Sequence, residues 1–497
     1  MVYIPSSVDR EFVSGMDRLF RGKVRDTYEI AGFPENLFVV ASDRISVYDH
    51  VLGCEIPQKG EVLTAMNVFW RKTLLEHWRF AHDLIAYGSH IDEFLPNHLK
   101  GNPELQKRAA VVEKLLMYDF EAIARGYLTG SGFTAYQATH PHELCGHVLP
   151  EGFTDGSRLP YALFTPSTKE QEGHDKHISA ESVMARYGFL PERLSLQLYE
   201  LAASLSRAQG ILIADTKFEF GYAKGKLKFG DELFTPDSSR YWDEQDWEHS
   251  RENERSPQSL DKQFVRDFAK TLGIDKRNPA LPEDRAFVGS CVIPPEIIDC
   301  TRRIYRYIFW RMTSKKLELF QRENMGIDVN PPRVHLDLIV GSRSDLAQAT
   351  PALEKLNELR KTGLVDPQLH IISCHRNPEA LRGYAEELKN VDVIVAGAGK
   401  AAALPGALTS WLRFFGKNNI PVIGVAFEGD TSVSSWAATL SIEEVPGQPV
   451  VLNENGNAYR GAKGCLRACE RAVQGEFLPD SRERTSIDSE LNLNVWK

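Results

Sequence analysis

The last third of the chain alternates short apolar runs with longer amphipathic stretches. Residues 336–340, 370–373, 391–396 and 421–425 read as strands, with helical stretches running to about 360 and about 389 between them. Strands separated by helices predict a parallel sheet covered on both faces. Three polar loops follow the first three runs: Gly341-Ser342-Arg343-Ser344-Asp345, Cys374-His375-Arg376-Asn377-Pro378 and Gly397-Ala398-Gly399. Ligands of such sheets bind beyond the carboxyl ends of the strands, where all three loops lie.

Upstream the pattern is less regular. Residues 211–214 and 226–229 read as strands of a hairpin turning at Ala223-Lys224-Gly225, and 37–40 as another strand. Ile297, Ile304, Ile308 and Met312 recur at helical spacing, so one face of that helix is buried. The polar, acidic stretch 243–257 reads as a surface excursion. A Pro- and Asn-containing stretch at 323–333 divides a first domain, 1–322, from a second, 334–479, leaving a polar tail at 480–497. A chain of 497 residues is too long for one typical core, in keeping with this division.

Composition narrows the function. A net charge of −9 supplies no basic field for nucleic acid, so anionic substrates must be held by local cations. The cysteines at 54, 145, 291, 300, 374, 465 and 469 form no CxxC pair, which argues against a zinc site and for reduced thiols in the cytoplasm. No apolar run is long enough for a membrane span, and the start lacks a signal-peptide pattern.

The richest chemistry lies in Asp215-Thr216-Lys217-Phe218-Glu219-Phe220-Gly221 and Asp231-Glu232-Leu233-Phe234-Thr235-Pro236-Asp237-Ser238-Ser239-Arg240. Glu219 and Asp231 fall near each other on paired strands and repel unless a cation lies between them. Mg²⁺ held by one or two carboxylates plus nucleotide phosphates meets that need, and a hairpin of solvated acids is the plainer alternative. Gly22-Lys23-Val24-Arg25-Asp26 brings cations and a glycine that suit phosphate oxygens, or form only a basic turn. Arg125-Gly126-Tyr127-Leu128-Thr129-Gly130-Ser131-Gly132 suits a phosphate monoester, with Arg125 as a forked donor and Ser131 as a neutral one. Phe164-Thr165-Pro166-Ser167-Thr168-Lys169 is a third ligand loop or a simple turn.

Taken in order, with Ser42-Asp43-Arg44-Ile45-Ser46, these motifs resemble the phosphoribosylaminoimidazole-succinocarboxamide (SAICAR) synthetases over about residues 10–322. The resemblance implies an ATP-grasp-like domain that joins carboxyaminoimidazole ribonucleotide (CAIR) to L-aspartate with ATP. It places Gly22, Lys23 and Arg25 at the ATP phosphates, and Glu219 and Asp231 at Mg²⁺ and ATP with Lys217 beside them. It places Arg125, Ser131, Ser167, Asp215, Asp237, Ser239 and Arg240 around CAIR and aspartate.

The second domain resembles the aminoimidazole ribonucleotide (AIR) carboxylases and N5-CAIR mutases over about 334–475. That implies a flavodoxin-like three-layer α/β/α fold that forms CAIR from AIR and CO₂ or bicarbonate, or from N5-CAIR. Ser342, Ser344, Asp345, Ser373, His375, Arg376 and Gly399 fall at its AIR/CAIR site. Independently of the family, amides of a helix start behind Ser342 and Ser344 favour phosphate. A histidine such as His375 can take the proton that carboxylation displaces from a ring carbon. The third loop departs from the bacterial pattern Gly-Ala-Gly-Gly-Ala-Ala-His-Leu-Pro-Gly: Lys400 stands for a glycine and Ala403 for the histidine. An active ligase carrying a catalytically silent oligomerisation scaffold is therefore the alternative reading. The resemblance further implies a homo-octamer built through the second domain, to which Trp411, Phe414, Phe415 and Trp436 can contribute. Small molecules, not nucleic acid or membrane, are the expected partners.

Overall fold

The computed structural model describes residues 4–8, 11–169, 176–253, 255–444 and 450–478. The tail read at 480–497 lies outside them. The chain divides into two compact units, Met1–Pro332 and Arg333–Lys497.

The first unit opens with β1 (Arg18–Arg21), β2 (Arg25–Glu29), β3 (Asn36–Ala41), the hairpin β4 (Arg44–Val47) and β5 (His50–Glu55), and helix α1 (Lys59–Trp70). Next come β6 (Leu84–Tyr87), α2 (Pro103–Arg108), β7 (Ala109–Glu113), β8 (Leu116–Met117), β9 (Phe120–Leu128) and α3 (Gly130–Ala138). The small pair β10 (Glu143–Leu144) and β11 (His147–Val148) precedes β12 (Ser157–Phe164), β13 (Ser167–Thr168), α4 (Ala180–Tyr187) and α5 (Leu190–Arg207). β14 (Ile211–Ala223), β15 (Lys226–Gly230) and β16 (Ser239–Asp243) lead into α6 (Glu244–Glu252), α7 (Gln263–Thr271), α8 (Pro282–Ser290), α9 (Pro295–Thr313) and α10 (Leu317–Met325).

Two sheets organise this unit. One is antiparallel, in the order β1-β2-β3-β7-β6. Its core face carries Tyr28, Phe38, Val40 and Val111. The other runs β12-β9-β14-β15, with β8, β13 and β16 attached. The strand read at 211–214 continues to Ala223, because alternation persists through the charged motif. Phe218 and Phe220 are buried against Phe229, while Asp215, Lys217 and Glu219 take the other face. The stretch read as a surface excursion is instead largely helix α6. Trp247 on it is buried edge-on to Tyr127, a contact that its polar neighbours hide in the sequence.

His82 bridges to Phe229 beside this sheet. Burial, and then the nearby Arg71, hold its imidazole down at about 4. Between that value and the ordinary one near 6.5, the unfolded chain binds more protons than the folded one. Stability from this group is therefore present above about pH 6.5 and is lost as pH falls toward about 4. Among the described residues its Nδ1 has no hydrogen-bond partner. His82→Phe is expected to flatten the pH dependence of the urea midpoint across that window; an unchanged slope would show that another group titrates there.

The second unit comprises β17 (Val334–Val340), α11 (Leu346–Lys361), β18 (Val365–Ile371), α12 (Pro378–Glu387), β19 (Val393–Ala398), α13 (Leu404–Phe414), β20 (Val422–Ala426), α14 (Ser432–Glu443), β21 (Tyr459–Arg460) and α15 (Gly461–Gln474). Its five strands are all parallel, in the order β18-β17-β19-β20-β21. Numbered within the unit this is 2-1-3-4-5, the flavodoxin-like order. Leu356 and Cys469, from α11 and α15, cover one face. Leu381, Leu408 and Ile442, from α12, α13 and α14, cover the other. The second strand starts at Val365, five residues before the reading at 370, and includes Pro367. It is an edge strand, which tolerates proline and exposed polar residues, so the apolar signal is weak there.

Candidate active sites

In the first unit, strand register assembles the charges. A bulge between Ile213 and Asp215 sets Asp215 opposite Arg240 on β16, while on the other side Asp215 lies opposite Arg125 on β9. Arg125 and Arg240 reach the same carboxylate oxygen of Asp215, at 2.5 and 2.6 Å. Arg125 also donates to Thr165 Oγ1 at 2.8 Å and Ser131 Oγ at 3.4 Å. Gly130 opens α3 with φ +56°, and a Cβ there would lie 2.3 Å from Arg240 Nη2. Glycine lets the amide end of α3 close on these two guanidinium groups.

One turn of pleat further along, Lys217 Nζ lies 2.7 Å from Glu121 and 3.0 Å from Glu219. Glu219 also receives Lys169 at 2.5 Å. Burial opposes the Lys217 charge, but Glu219, Glu121 and Asp231 together outweigh it and hold the ammonium well above its usual range. Glu219 is paired with Gly230, so Asp231 follows directly beside it. Arg25 on β2 spans to Asp231 at 2.6 Å and to Glu232 at 3.1 Å. Burial would raise the Asp231 carboxyl; Arg25, Lys217 and Lys169 overcome it and bring it down to about 2. Lys23 pairs with Asp49 at 2.7 Å, and the Gly22 amide closes the turn on Arg25 O at 2.7 Å.

These groups line one cleft of about 1200 Å³. Gly22, Lys23, Arg25, Arg125, Ser131, Asp215, Lys217, Glu219, Asp231, Asp237, Ser239 and Arg240 are all on its wall. Ser239 is turned to Thr216, Oγ to Oγ 2.7 Å. Ser167 is off the lining, and its hydroxyl donates to Glu121 at 3.4 Å. Leu37, Val39, Ala110 and Val112 supply an apolar wall from the first sheet.

Sequence reasoning missed Glu121, on the cleft wall, and Lys59, the partner of the wall residue Asp237. Glu121 has no motif signal; it stands two residues from Ile123, the register partner of Lys217, and only strand pairing brings it to the ammonium. Lys59 is wholly buried on α1, 2.6 Å from Asp237, whose other oxygen takes the Tyr305 hydroxyl at 2.5 Å. A lysine next to a glycine reads as surface, so nothing local marks it. Removing one partner of such a pair strands the other charge and costs about 3–5 kcal/mol. Lys59→Met is therefore expected to lower the melting temperature of the first unit by about 10 °C, measured by calorimetry. A shift below about 2 °C would mean that Asp237 is neutralised another way.

In the second unit the three loops meet at the strand ends. Ser342 Oγ lies 2.6 Å from Ser344 Oγ and donates to Asp345 Oδ2 at 2.9 Å. A Cβ on Gly399 would sit 3.6 Å from Asp345 Oδ1, so the third loop abuts the first. Arg376 reaches back to Gly341 O at 2.9 Å, and its amide donates to Ser373 Oγ at 3.2 Å. His375 is exposed beside them, with Cys374 Sγ 3.7 Å from its Nδ1. The loops lie where the first strand is flanked by the second and third, the switch point of such sheets. Lys400 adopts φ +53°, a conformation that favours glycine.

A charged cleft of nucleotide size in one unit, and polar loops at a doubly wound switch point in the other, define a two-domain enzyme acting on small anionic metabolites. The SAICAR synthetase family model matches residues 18–280, and the AIR carboxylase family model matches 335–474. The chain belongs to the SAICAR synthetase family and carries an AIR carboxylase region behind it. The phosphoribosylaminoimidazole-succinocarboxamide synthase of Thermodesulfovibrio yellowstonii is 41% identical over 312 residues, covering 61% of this chain and 97% of that protein. The same enzyme of Mycolicibacterium vanbaalenii is 41% identical over 318 residues, covering 62% and 97%. The Saccharomyces cerevisiae SAICAR synthase, solved as its SAICAR complex, is 32% identical with a TM-score of 0.53, covering 62% of this chain and 99% of that one. These matches place the chain in de novo purine biosynthesis as a SAICAR synthetase with an AIR carboxylase domain. Among the described residues no helix is long and apolar enough to cross a membrane.

Proposed function

We propose that the first unit ligates CAIR to L-aspartate at the expense of ATP, and that the second forms the CAIR it consumes. The observation that carries the ligase reading is the single cleft, with the Lys217–Glu219–Asp231–Arg25 cluster and the Arg125–Asp215–Arg240 group on one wall. A carboxylate is a poor acylating agent. Attack of the CAIR carboxylate on the γ-phosphorus of ATP gives an acyl phosphate and ADP. The aspartate amine then attacks the acyl carbon, loses a proton, and expels phosphate as the amide forms.

Charge on the transferring phosphoryl group is the main barrier, and cations held in place by carboxylates need no reorganisation to meet it. Lys23, Arg25 and Lys217 take that role, with Gly22 closing the turn that carries Lys23 and Arg25. The apolar wall of Leu37, Val39 and Val112 suits the adenine ring. Arg125, Ser131, Arg240 and the α3 amides suit the ribonucleotide phosphate and carboxylate end. Among the described residues no three acidic, His or Cys side chains form a metal cage. Mg²⁺ with a nucleotide needs only one or two carboxylates besides phosphates and water, so Glu219 and Asp231 fit it. The ion would neutralise phosphate charge there.

In the second unit Ser342, Ser344 and Arg376 suit the phosphate and carboxyl groups of AIR or N5-CAIR. His375 takes the proton released from the ring carbon as the new carbon–carbon bond forms. The exposed Phe414 and Trp436, with Val433 and Leu440, support an octamer formed through this unit. Free thiols at all seven cysteines support a cytoplasmic location.

The test is product formation. Supplied CAIR, aspartate and Mg²⁺-ATP should give SAICAR, and its failure would overturn the ligase reading. AIR with bicarbonate, or N5-CAIR, should replace CAIR. If neither does, the second unit is the silent scaffold.

A further inference from the structure

Asp231 is gripped from two sides. Its carboxylate takes Arg25 at 2.6 Å, and its carbonyl oxygen accepts from Arg71 Nη2, also at 2.6 Å. Its backbone stands at φ +55°, in the left-handed region that is uncommon for a residue with a side chain. Gly230 before it is paired with Glu219, so the turn at Asp231 decides where this carboxylate lies relative to Glu219.

The main-chain grip comes from outside the cleft. Arg71 follows the last residue of α1 and begins a wider π turn, Arg71–Glu76. It is wholly buried and off the cleft lining, whereas Asn67, Asp83 and Asp231 are on it. Arg71 serves all three: Nε donates to Asn67 Oδ1 at 3.0 Å, Nη1 to Asp83 Oδ1, and Nη2 to the Asp231 carbonyl. Asn67 Oδ1 also accepts the Leu233 amide at 3.2 Å, so these side chains hold the turn at both 231 and 233. Asp83 is fixed in its own right. Its amide donates to Phe229 O at 3.1 Å and its carbonyl accepts the Glu113 amide at 2.7 Å, which ties the second sheet to the first. Burial raises the Asp83 carboxyl, Arg71 opposes this, and Asp231 adds to it, so the two acids feel each other with Arg71 against both. A planar guanidinium fork can meet three acceptors at fixed angles, which the single ammonium of a lysine does not reproduce.

We propose that Arg71, oriented by Asp83, is a positioning residue for the metal–nucleotide step of the ligase: it locks the left-handed turn at Asp231 and so keeps that carboxylate beside Glu219. This rests on the ligase reading, in which Glu219 and Asp231 face Mg²⁺. A bound cation competes with Arg25 for the Asp231 carboxylate. It does not compete for the Asp231 carbonyl, so the hold of Arg71 persists when the nucleotide and its ion enter. Removing a partner that orients a metal-binding side chain changes metal affinity by about 10–100-fold.

The test uses the full chain and two readouts. Binding of Mn²⁺ in the presence of saturating ADP, followed by electron paramagnetic resonance, involves no turnover. Arg71→Lys is expected to weaken it about tenfold or more. The Mg²⁺ concentration that half-saturates SAICAR formation should rise by a similar factor, while KM for CAIR and for aspartate stays within about twofold of the parent. Asp83→Asn leaves Arg71 in place without its charged anchor. It should move both readouts in the same direction by less, and it decides the matter if Arg71→Lys does not fold. A folded variant that binds Mn²⁺ and ADP as the parent does, whatever its melting temperature, makes Arg71 a purely structural residue and overturns the proposal. An equal rise in KM for CAIR and aspartate overturns it too, because the change then spreads through the whole cleft. A parent protein that binds Mn²⁺ and ADP but forms no SAICAR overturns the ligase reading instead, so the two failures are distinct.

Discussion

Lys217→Met is expected to lower the turnover of SAICAR formation by about 10³-fold, the scale of removing one preorganised charge-stabilising donor. The side chain links Glu121 on β9 to Glu219 on β14, and Asp231 adds its field from the end of β15. Without the ammonium, Glu121 and Glu219 face each other across paired strands, with Lys169 and the field of Arg25 left to compensate Glu219. Their mutual repulsion moves Glu219, one of the two carboxylates that suit Mg²⁺, and the phosphoryl group loses a cation at the same time. The Arg125–Asp215–Arg240 group is untouched, so KM for CAIR should stay within about threefold. Initial rates at saturating ATP and aspartate check this. A loss smaller than about tenfold would mean that Lys217 serves the fold and not the transfer.

His375→Asn is expected to cut CAIR formation by about 10²–10⁴-fold, the range of a lost general base, and to leave SAICAR formation from supplied CAIR unchanged. His375 sits on the loop after β18, within reach of solvent and beside Arg376, whose guanidinium is anchored on Gly341 O. Asparagine keeps the size and polarity of the loop but cannot carry the proton. The ligase cleft is lined wholly by residues of the first unit, so the two activities should separate in one variant. Equal CAIR formation by parent and variant would remove His375 from the chemistry. A fall in both activities would mean that the change disturbs the whole chain.

Parts of this protein are legible residue by residue. Asp215, Lys217 and Glu219 alternate with Thr216, Phe218 and Phe220, and period two alone puts the charges on one face and the aromatics on the other. The apolar runs of β17, β19 and β20 are buried on both sides, so they stand out as continuous signals. The edge strand β18 is half-solvated and carries Pro367, so the apolar pattern marks it only from His370, five residues after its start. Helix α6 reads as an excursion in the sequence because Trp247 is its one large buried apolar residue amid charged neighbours.

The sequence by itself determined the order of elements, the parallel sheet of the second unit, and the loops that hold its polar groups. It also determined which residue types stand in each motif, since those depend on local spacing and side-chain chemistry. Tertiary structure alone decided the partners. Register set Arg125 and Arg240 on one carboxylate of Asp215, and strand pairing placed Glu121 beside Lys217. Helix packing buried Lys59 against Asp237. Charge pairing acts between residues distant in sequence, and a string of residues carries no distance between them until the chain is folded.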